Sequence, residues 1–521
     1  MSTIGRIFAI IYLTGAVFLA VYGLNALILT VLYLRHRRKT IPCPSLTGYP
    51  QVTVQLPIYN ELHVVERLID AVAALDYPRD RLQIQVLDDS TDETTRVAQA
   101  RVLYHRRRGV DIELIHREQR VGFKAGALRE GLAQARGELI VIFDADFVPP
   151  CDFLQRTVPY FLAHPRLGMV QTRWGHLNAE HSLLTRAQAI ALDGHFVVEQ
   201  TARNRSGLFM NFNGTAGVWR RECIIAAGGW SADTLSEDLD LSYRAQLAGW
   251  EFLYLPEVAA PAEIPPQIEA FKRQQFRWAK GSLQVLRKLW RPLLQARQPW
   301  PIRFQGLLHI SSYLAHPLML VLLLCIPVLM LTHQSLYWPL TYLSLASLGP
   351  PLLYTVAQRA LYRDWPRRML AFPLLALLGT GVAWNNTKAI IEALLRRESA
   401  FQRTPKFRVE GRTARWQESR YWLPAGRQVI GEVLWALYAL VAAGVALRQG
   451  NLYTLPFLGL YIGGFGYVAL GSLWQSREQR RGRRRGRRGL ARSQARLSSW
   501  LRPLLGQKPS PVSPHETSRK I

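Results

Sequence analysis

Acidic residues are scarce in this chain of 521. It has 37 Asp and Glu against 65 Lys and Arg, a net charge of +28. That surplus leaves three partners to weigh: nucleic acid, anionic lipid headgroups, or the basic loops that flank membrane spans. Cysteine is scarcer still. Cys43, Cys151, Cys223 and Cys325 lie far apart, with no CxxC and no histidine at zinc spacing. A zinc ribbon and a redox pair are excluded, and the four read as unpaired thiols. No GxGxxG follows the first predicted strand and no GxxxxGK[ST] occurs, so neither a dinucleotide site nor a P-loop is indicated. The arginine-rich tail after 476 has no RNA-binding motif and few aromatics. It follows an apolar run directly, which favours a topogenic or lipid-facing role, and no nucleic-acid partner is expected.

Charge is missing altogether from residues 7–34, IFAIIYLTGAVFLAVYGLNALILTVLYL. That run is long enough to cross ~30 Å of hydrocarbon. RHRRK follows it, which predicts a cytoplasmic end there. Further apolar runs lie at 306–332, 336–358, 429–447 and 453–474, and five spans put the basic flanks on one side. The stretch 369–395 starts apolar, but Lys388 and Glu392 stand in its second half. Residues 385–398 are therefore predicted as an amphipathic helix at the interface, with a sixth span as the alternative. The expected protein is multi-pass in the lipid bilayer, with its soluble part cytoplasmic. Its regions are 1–40 (span and basic flank), 45–300 (soluble domain), 301–476 (spans) and 477–521 (a disordered basic tail).

Between the first two spans the pattern changes. VTVQLPI (52–58), LQIQVLD (82–88), DIELIH (111–116) and ELIVIFD (138–144) read as strands, each followed by helical periodicity. This alternation predicts an α/β domain with a mostly parallel, Rossmann-like sheet. PIYNE, DDSTDE and DADF follow three of the strands. In an open α/β sheet that edge binds the ligand.

Asp144 and Asp146 can converge on one hard cation, Mg²⁺ or Mn²⁺, which could bridge phosphate oxygens. Asp88 and Asp89 are placed to meet a base or ribose, while Asp92 reads as a helix cap. Lys124 sits at a helix start, where phosphate and plain solvent are both possible partners. EDLDLSYRAQLAGW (237–250) reads as a helix with Glu237 and Asp238 in its first turn. There Asp238 could take a proton from a sugar hydroxyl, although acids are favoured at that position for dipole reasons alone. QQFRWAKGS (274–282) sets an aromatic face beside a fixed positive charge at the threshold of the second span.

The ordered set is more specific than its members: DD at 88–89, DAD at 144–146, SED at 236–238 and QQFRW at 274–278. It resembles the processive family-2 inverting glycosyltransferases, the cellulose, hyaluronan and chitin synthases, whose signature is D, DxD, TED, QxxRW. Ser236 stands where threonine is usual. FNGTAGVWR and GFKAGAL are most similar to the cellulose synthase-like A and C branches. The resemblance implies a GT-A domain inserted between transmembrane segments. It implies donor contacts from Asp88, Asp89, Lys124, Asp144 and Arg277, a divalent ion on Asp144 and Asp146, and Asp238 as catalytic base. Trp278, Glu237 and Gln274 would seat the acceptor. FQRTPK (401–406) is similar to the gating loop of cellulose synthases, which implies roles for Phe401, Thr404 and Lys406. Arg403 replaces the usual valine and is open to two readings, a phosphate contact or a solvent-facing residue. The expected activity is processive transfer of a hexose, from UDP-glucose or GDP-mannose, to a growing β-linked polysaccharide and its export. The alternative is a single transfer to a membrane lipid acceptor.

Overall fold

The computed structural model describes residues 3–39, 41–334, 337–397, 403–411, 416, 417 and 419–501. The four predicted strands are β1 (Val52–Ile58), β2 (Leu82–Asp88), β3 (Ile112–His116) and β4 (Leu139–Ile142). The sequence did not reveal three more: β5 (Leu167–His176), β6 (Gly217–Arg220) and β7 (Glu251–Ala262). The sheet order is β3-β2-β1-β4-β6-β5-β7. β1, β2, β3 and β4 run parallel, while β6 lies antiparallel between β4 and β5.

Alternation along β1 explains its place at the centre. Val52, Val54, Leu56 and Ile58 join one apolar core. Thr53 and Gln55 point to the other face, where they are buried in a polar ladder. Thr53 Oγ1 donates to Gln83 Oε1 (2.8 Å) and Gln55 Nε2 to Gln85 Oε1 (3.0 Å). Helix Phe123–Gln134 covers that face through Gly131, where a Cβ would fall 2.6 Å from Gln55 Nε2. Both faces are covered, as a parallel sheet requires.

Among the described residues, five helical stretches are long and apolar enough to cross a membrane: Thr3–His36, Trp300–Leu331, Trp365–Leu394, Gln428–Arg448 and Leu452–Glu478. Four coincide with predicted spans. The predicted span at 336–358 is broken into helix Tyr337–Ser344, a tight turn Leu345–Leu348 and helix Gly349–Leu361, with prolines in the first turn of the last. The first helix packs closely on this segment. A Cβ on Gly23 would meet Ala346 O at 2.3 Å, and one on Gly349 would meet Gly23 O at 2.1 Å. At the other end of the same helix, Gly5 packs on Thr332.

The stretch 365–394 touches the soluble domain at both ends. Arg368 pairs with Glu180 (3.3 Å) and Glu392 with Lys280 (3.1 Å). Asn385 Nδ2 donates to Lys272 O (2.9 Å). The last helix, Leu455–Leu501, runs past 477, where the sequence predicts a disordered tail. Arg, Gln and Leu are good helix formers and carry the helix on. Residues 502–521 lie outside the described residues.

Candidate active site

Strand order reverses between β1 and β4. Successive strands run from β1 out to β3, and then the chain returns to the other side of β1. A crevice opens at the carboxyl ends on either side of such a reversal. Here the loops after β1, β2 and β4 line one cavity, with Tyr59, Glu61, Asp89, Asp144 and Asp146 in its wall.

The two adjacent carboxylates after β2 behave differently. Asp89 lines the cavity and is gripped by Arg117, with Nε on Oδ1 (2.7 Å) and Nη2 on Oδ2 (2.6 Å). Asp88 is fully buried and is not among the lining residues. It accepts from Ser90 N–H (2.9 Å) and Thr95 Oγ1 (2.6 Å) and lies 2.8 Å from His116 Nδ1. Successive residues of a strand point to opposite faces, so only one of the pair can face the cavity. Asp88, predicted as a donor contact, holds its own turn through these partners. Asp92, predicted as a helix cap, lies one residue before the N-cap Glu93 and accepts from Thr94 N–H (2.9 Å) in a local turn. Arg120 also pairs with Asp89 (3.6 Å), and its guanidinium lies 3.5 Å from the centre of the Tyr59 ring.

Asp144 and Asp146 leave β4 toward two different cations. Lys124 Nζ is 2.6 Å from Asp144 Oδ1 and donates to Gly214 O (2.8 Å). Lys406 Nζ is 2.8 Å from Asp146 Oδ2, which also accepts from Glu263 N–H (3.1 Å). Thr215 Oγ1 accepts from Asp144 N–H (2.9 Å), which ties the 213–215 turn to the strand end. Two carboxylates and no third suit a Mg²⁺ or Mn²⁺ that takes its remaining oxygens from phosphate and water. Among the described residues no group of three His, Cys, Asp or Glu could form an all-protein site. The residues present therefore fit a divalent ion that is shared with a substrate.

Asp238 stands across the cavity at the start of helix Glu237–Leu247. Leu239, Tyr243 and Leu247 hold that helix against an apolar cluster, on the predicted face. Burial, aided by neighbouring Glu237, pushes the Asp238 carboxyl up to about 7, while Lys124 and Arg277 act in the other direction. Glu237 is buried, 4.0 Å from Lys124. Gly214 adopts a left-handed φ of +83°, and a Cβ there would fall 2.8 Å from Asp238 Oδ2. Only glycine lets that backbone come so close.

Helix Ile268–Gln295 supplies Gln274, Arg277 and Trp278 to the same cavity. Their spacing, i, i+3 and i+4, puts them on one face. Residues 403–411 form a strap over the opening. Thr404 is buried in the wall, and its Oγ1 has no hydrogen-bond partner among the described residues. Glu263 holds the strap by accepting from the N–H groups of Phe407 (2.9 Å) and Arg408 (2.8 Å). Phe401 lies outside the described residues. Arg403 lines the cavity and does not face solvent. It pairs with Glu61 (2.7 Å) and stacks on Tyr421, 4.4 Å from the ring centre. Burial pushes both Glu61 and Glu263 up to about 7.

Sequence reasoning missed Glu61, Glu263, Arg120 and Asn213 as wall residues. PIYNE and FNGT flagged the turns that hold Glu61 and Asn213. Nothing local marks Glu263, whose partners are 144 and 145 positions away.

A family model described as "Glycosyltransferase like family 2" matches residues 50–281. The chain is similar to glucomannan 4-beta-mannosyltransferase 2 of Arabidopsis thaliana, 45% identical over 247 residues, 47% of this chain and 46% of that one. It is also similar to glucomannan 4-beta-mannosyltransferase 1 of Oryza sativa subsp. japonica, 44% identical over 266 residues, 49% of this chain and 50% of that one. The chain spans about half the length of the curated relatives it matches. A solved mannosyltransferase from Pyrobaculum calidifontis, in complex with GDP-Man and Mn²⁺, shares the fold with a TM-score of 0.51 and 23% identity, over 74% of this chain and 100% of that one. The soluble domain has the GT-A fold.

Proposed function

We propose that the chain is a membrane-embedded, inverting, processive hexosyltransferase that extends a β-linked, 1,4-type polysaccharide and passes it across the bilayer. One observation carries this reading: Asp238, the Asp144–Asp146 pair and the Gln274–Arg277–Trp278 face converge on a single cavity. Of the two donors the sequence leaves open, the mannosyltransferase relatives favour GDP-mannose over UDP-glucose.

In this reading the nucleobase lies near Tyr59 and Arg120, with Asp89 held by Arg117 at its edge. Lys124 and Arg277 flank the diphosphate. Mg²⁺ or Mn²⁺ on Asp144 and Asp146 would neutralise the charge of the leaving group. Trp278 gives the acceptor pyranose an apolar face to lie on. Asp238, half-ionised near neutral pH, accepts the proton of the attacking hydroxyl. The anomeric carbon is attacked from the side opposite the nucleotide, so its configuration inverts. Thr404 and Lys406 close over the donor, exclude water and withdraw to release the spent nucleotide.

Five crossings are supported by the contacts at each turn of the chain. Thr332 lies beside Gly5 at the far end of the first helix, and Gln358 reaches Asp193 in the soluble domain (2.8 Å). The chain has therefore gone out along Ala315–Leu331 and come back by 361. With both of its ends on the soluble domain, 365–394 lies along the membrane surface and does not cross. The catalytic domain is then cytoplasmic. Asn204, Asn213 and Asn385 lie in glycosylation sequons. In a eukaryotic secretory system none should be modified, and a glycan on Asn204 would reverse the orientation. The activity itself is tested by offering purified protein each nucleotide sugar and analysing the linkages. No transfer from either donor overturns the proposal.

A further inference from the structure

A second cavity, of about 790 Å³, lies on the opposite side of helix Ile268–Gln295 from the acceptor face. Its walls come from that helix, from helix Ala383–Leu394 and from the start of the span Gln428–Arg448. The family-2 signature motifs do not account for it, although Arg277 lines both cavities.

The charges in this cavity are unbalanced. Lys272 is spent on Glu269 (2.9 Å) and on buried Glu432 (2.6 Å). Glu392 is spent on Lys280 (3.1 Å). That leaves Arg273, Lys388 and Arg427 in the wall with no side-chain hydrogen bond or ion pair among the described residues. Lys272 carries one charge against two carboxylates, so Arg273, which interacts with Glu269, and Lys388, which interacts with Glu432, are partly offset; the wall still holds a net excess of positive charge that an anion would answer, and phosphate oxygens satisfy guanidinium and ammonium donors at once.

The rim identifies where the anion comes from. Ile430 and Leu434 line the cavity and are 63% and 60% exposed. They stand in the first two turns of an apolar span, where an exposed aliphatic side chain meets acyl chains. A soluble nucleotide gains nothing from such a lip, whereas a phospholipid uses both halves of it. We propose that this cavity binds the phosphate-bearing headgroup of an anionic membrane lipid, with its acyl chains running along the Ile430–Leu434 face of the span. Through the shared wall at Arg277, the lipid would lie next to the acceptor site.

The test is direct binding, which does not depend on catalysis or on the donor assignment. Detergent-purified full-length protein is titrated with short-chain phosphatidylglycerol and, separately, with phosphatidylcholine. Phosphatidylglycerol should bind well and phosphatidylcholine poorly. Lys388→Gln combined with Arg427→Gln should weaken phosphatidylglycerol binding roughly tenfold. Arg291→Gln with Arg297→Gln, which removes the same charge from exposed positions elsewhere, should leave it unchanged. Leu434→Trp narrows the mouth without changing charge and should also weaken binding, so the result does not hang on one variant's folding. Inorganic phosphate or glycerol phosphate at matched concentration should fail to displace the lipid. Equal losses from the two double variants would reduce the site to diffuse surface charge and overturn the proposal. So would tight phosphatidylcholine binding, or displacement by free phosphate.

Discussion

The floor and the roof of the catalytic cavity hold charge by different means. On the floor, Arg117 grips Asp89 through two hydrogen bonds, both side chains are buried, and both elements hang from neighbouring parallel strands. On the roof, Lys406 reaches Asp146 across 260 positions of sequence, and Arg403 reaches Glu61 across a comparable distance. The floor contacts are fixed by the sheet. The roof contacts join separate pieces of chain, and two of the carboxyls that hold it, Glu61 in an ion pair and Glu263 on backbone N–H groups, are pushed up to about 7 by burial. The proposed activity would use both kinds: a rigid bed for the donor and a cover that can leave it.

The largest expected effect joins floor and roof. Excess chelator should abolish transfer, and Mn²⁺ or Mg²⁺ should restore it. Full turnover with the metal content verified as nil would remove Asp144 and Asp146 from that role. Next comes the base. Asp238→Asn keeps the shape but cannot take a proton, and turnover should drop ~10²–10⁴-fold. Nucleotide affinity, read by titration, should stay within a few fold, and a variant above half of wild-type activity would clear Asp238 of the role.

The comparison itself is broken or sharpened by a pair of alanine variants. Arg117→Ala leaves the buried Asp89 carboxylate with Arg120, 3.6 Å away, as its remaining charged partner, and should cost about 1–3 kcal/mol of stability. Thr404→Ala with Lys406→Ala should leave the melting temperature near wild type and cut elongation several-fold. Arg420→Ala, which removes an exposed charge paired with Glu93, should do far less. If the roof variant melts as early as the floor variant, the strap is a structural member and not a cover.

The smallest effect is with pH. Asp238 must be ionised to act, so kcat/KM should rise with pH and level off above about 7. Its contribution to stability has the opposite sign. A folded pKa raised from 3.8 to about 7 means the native state holds the proton more tightly. That contribution is full below about 4 and is lost as pH climbs through 7. A flat kcat/KM profile between pH 5 and 8 would contradict the assignment.

The floor was legible in the sequence because each of its parts follows a strand. A short β-branched run ending in acids announces both the element and the edge. The pairing of Asp88 with Asp89 misled, because residue type alone does not say which of two neighbours faces the ligand. The roof was legible only through its resemblance to a gating loop. Its anchors, Glu61 and Glu263, are fixed by tertiary folding across long separations, which leaves no periodic trace. The antiparallel β6 was missed for a related reason. Four residues, GVWR, are too few to show alternation.

The glycine contacts of the first helix bear on how the molecule is made. Gly23 leaves the ribosome roughly 320 residues before Ala346, the residue it packs against. At ~5–20 residues per second that gap is roughly 16–64 s. During that wait Gly23 has no partner from the 346–349 turn, while the whole soluble domain is synthesised behind it. The catalytic fold can therefore form before its membrane frame closes. Sealing of the Gly23–Gly349 seam is a late assembly step, and a chain halted at residue 300 would carry a finished domain on an unfinished anchor.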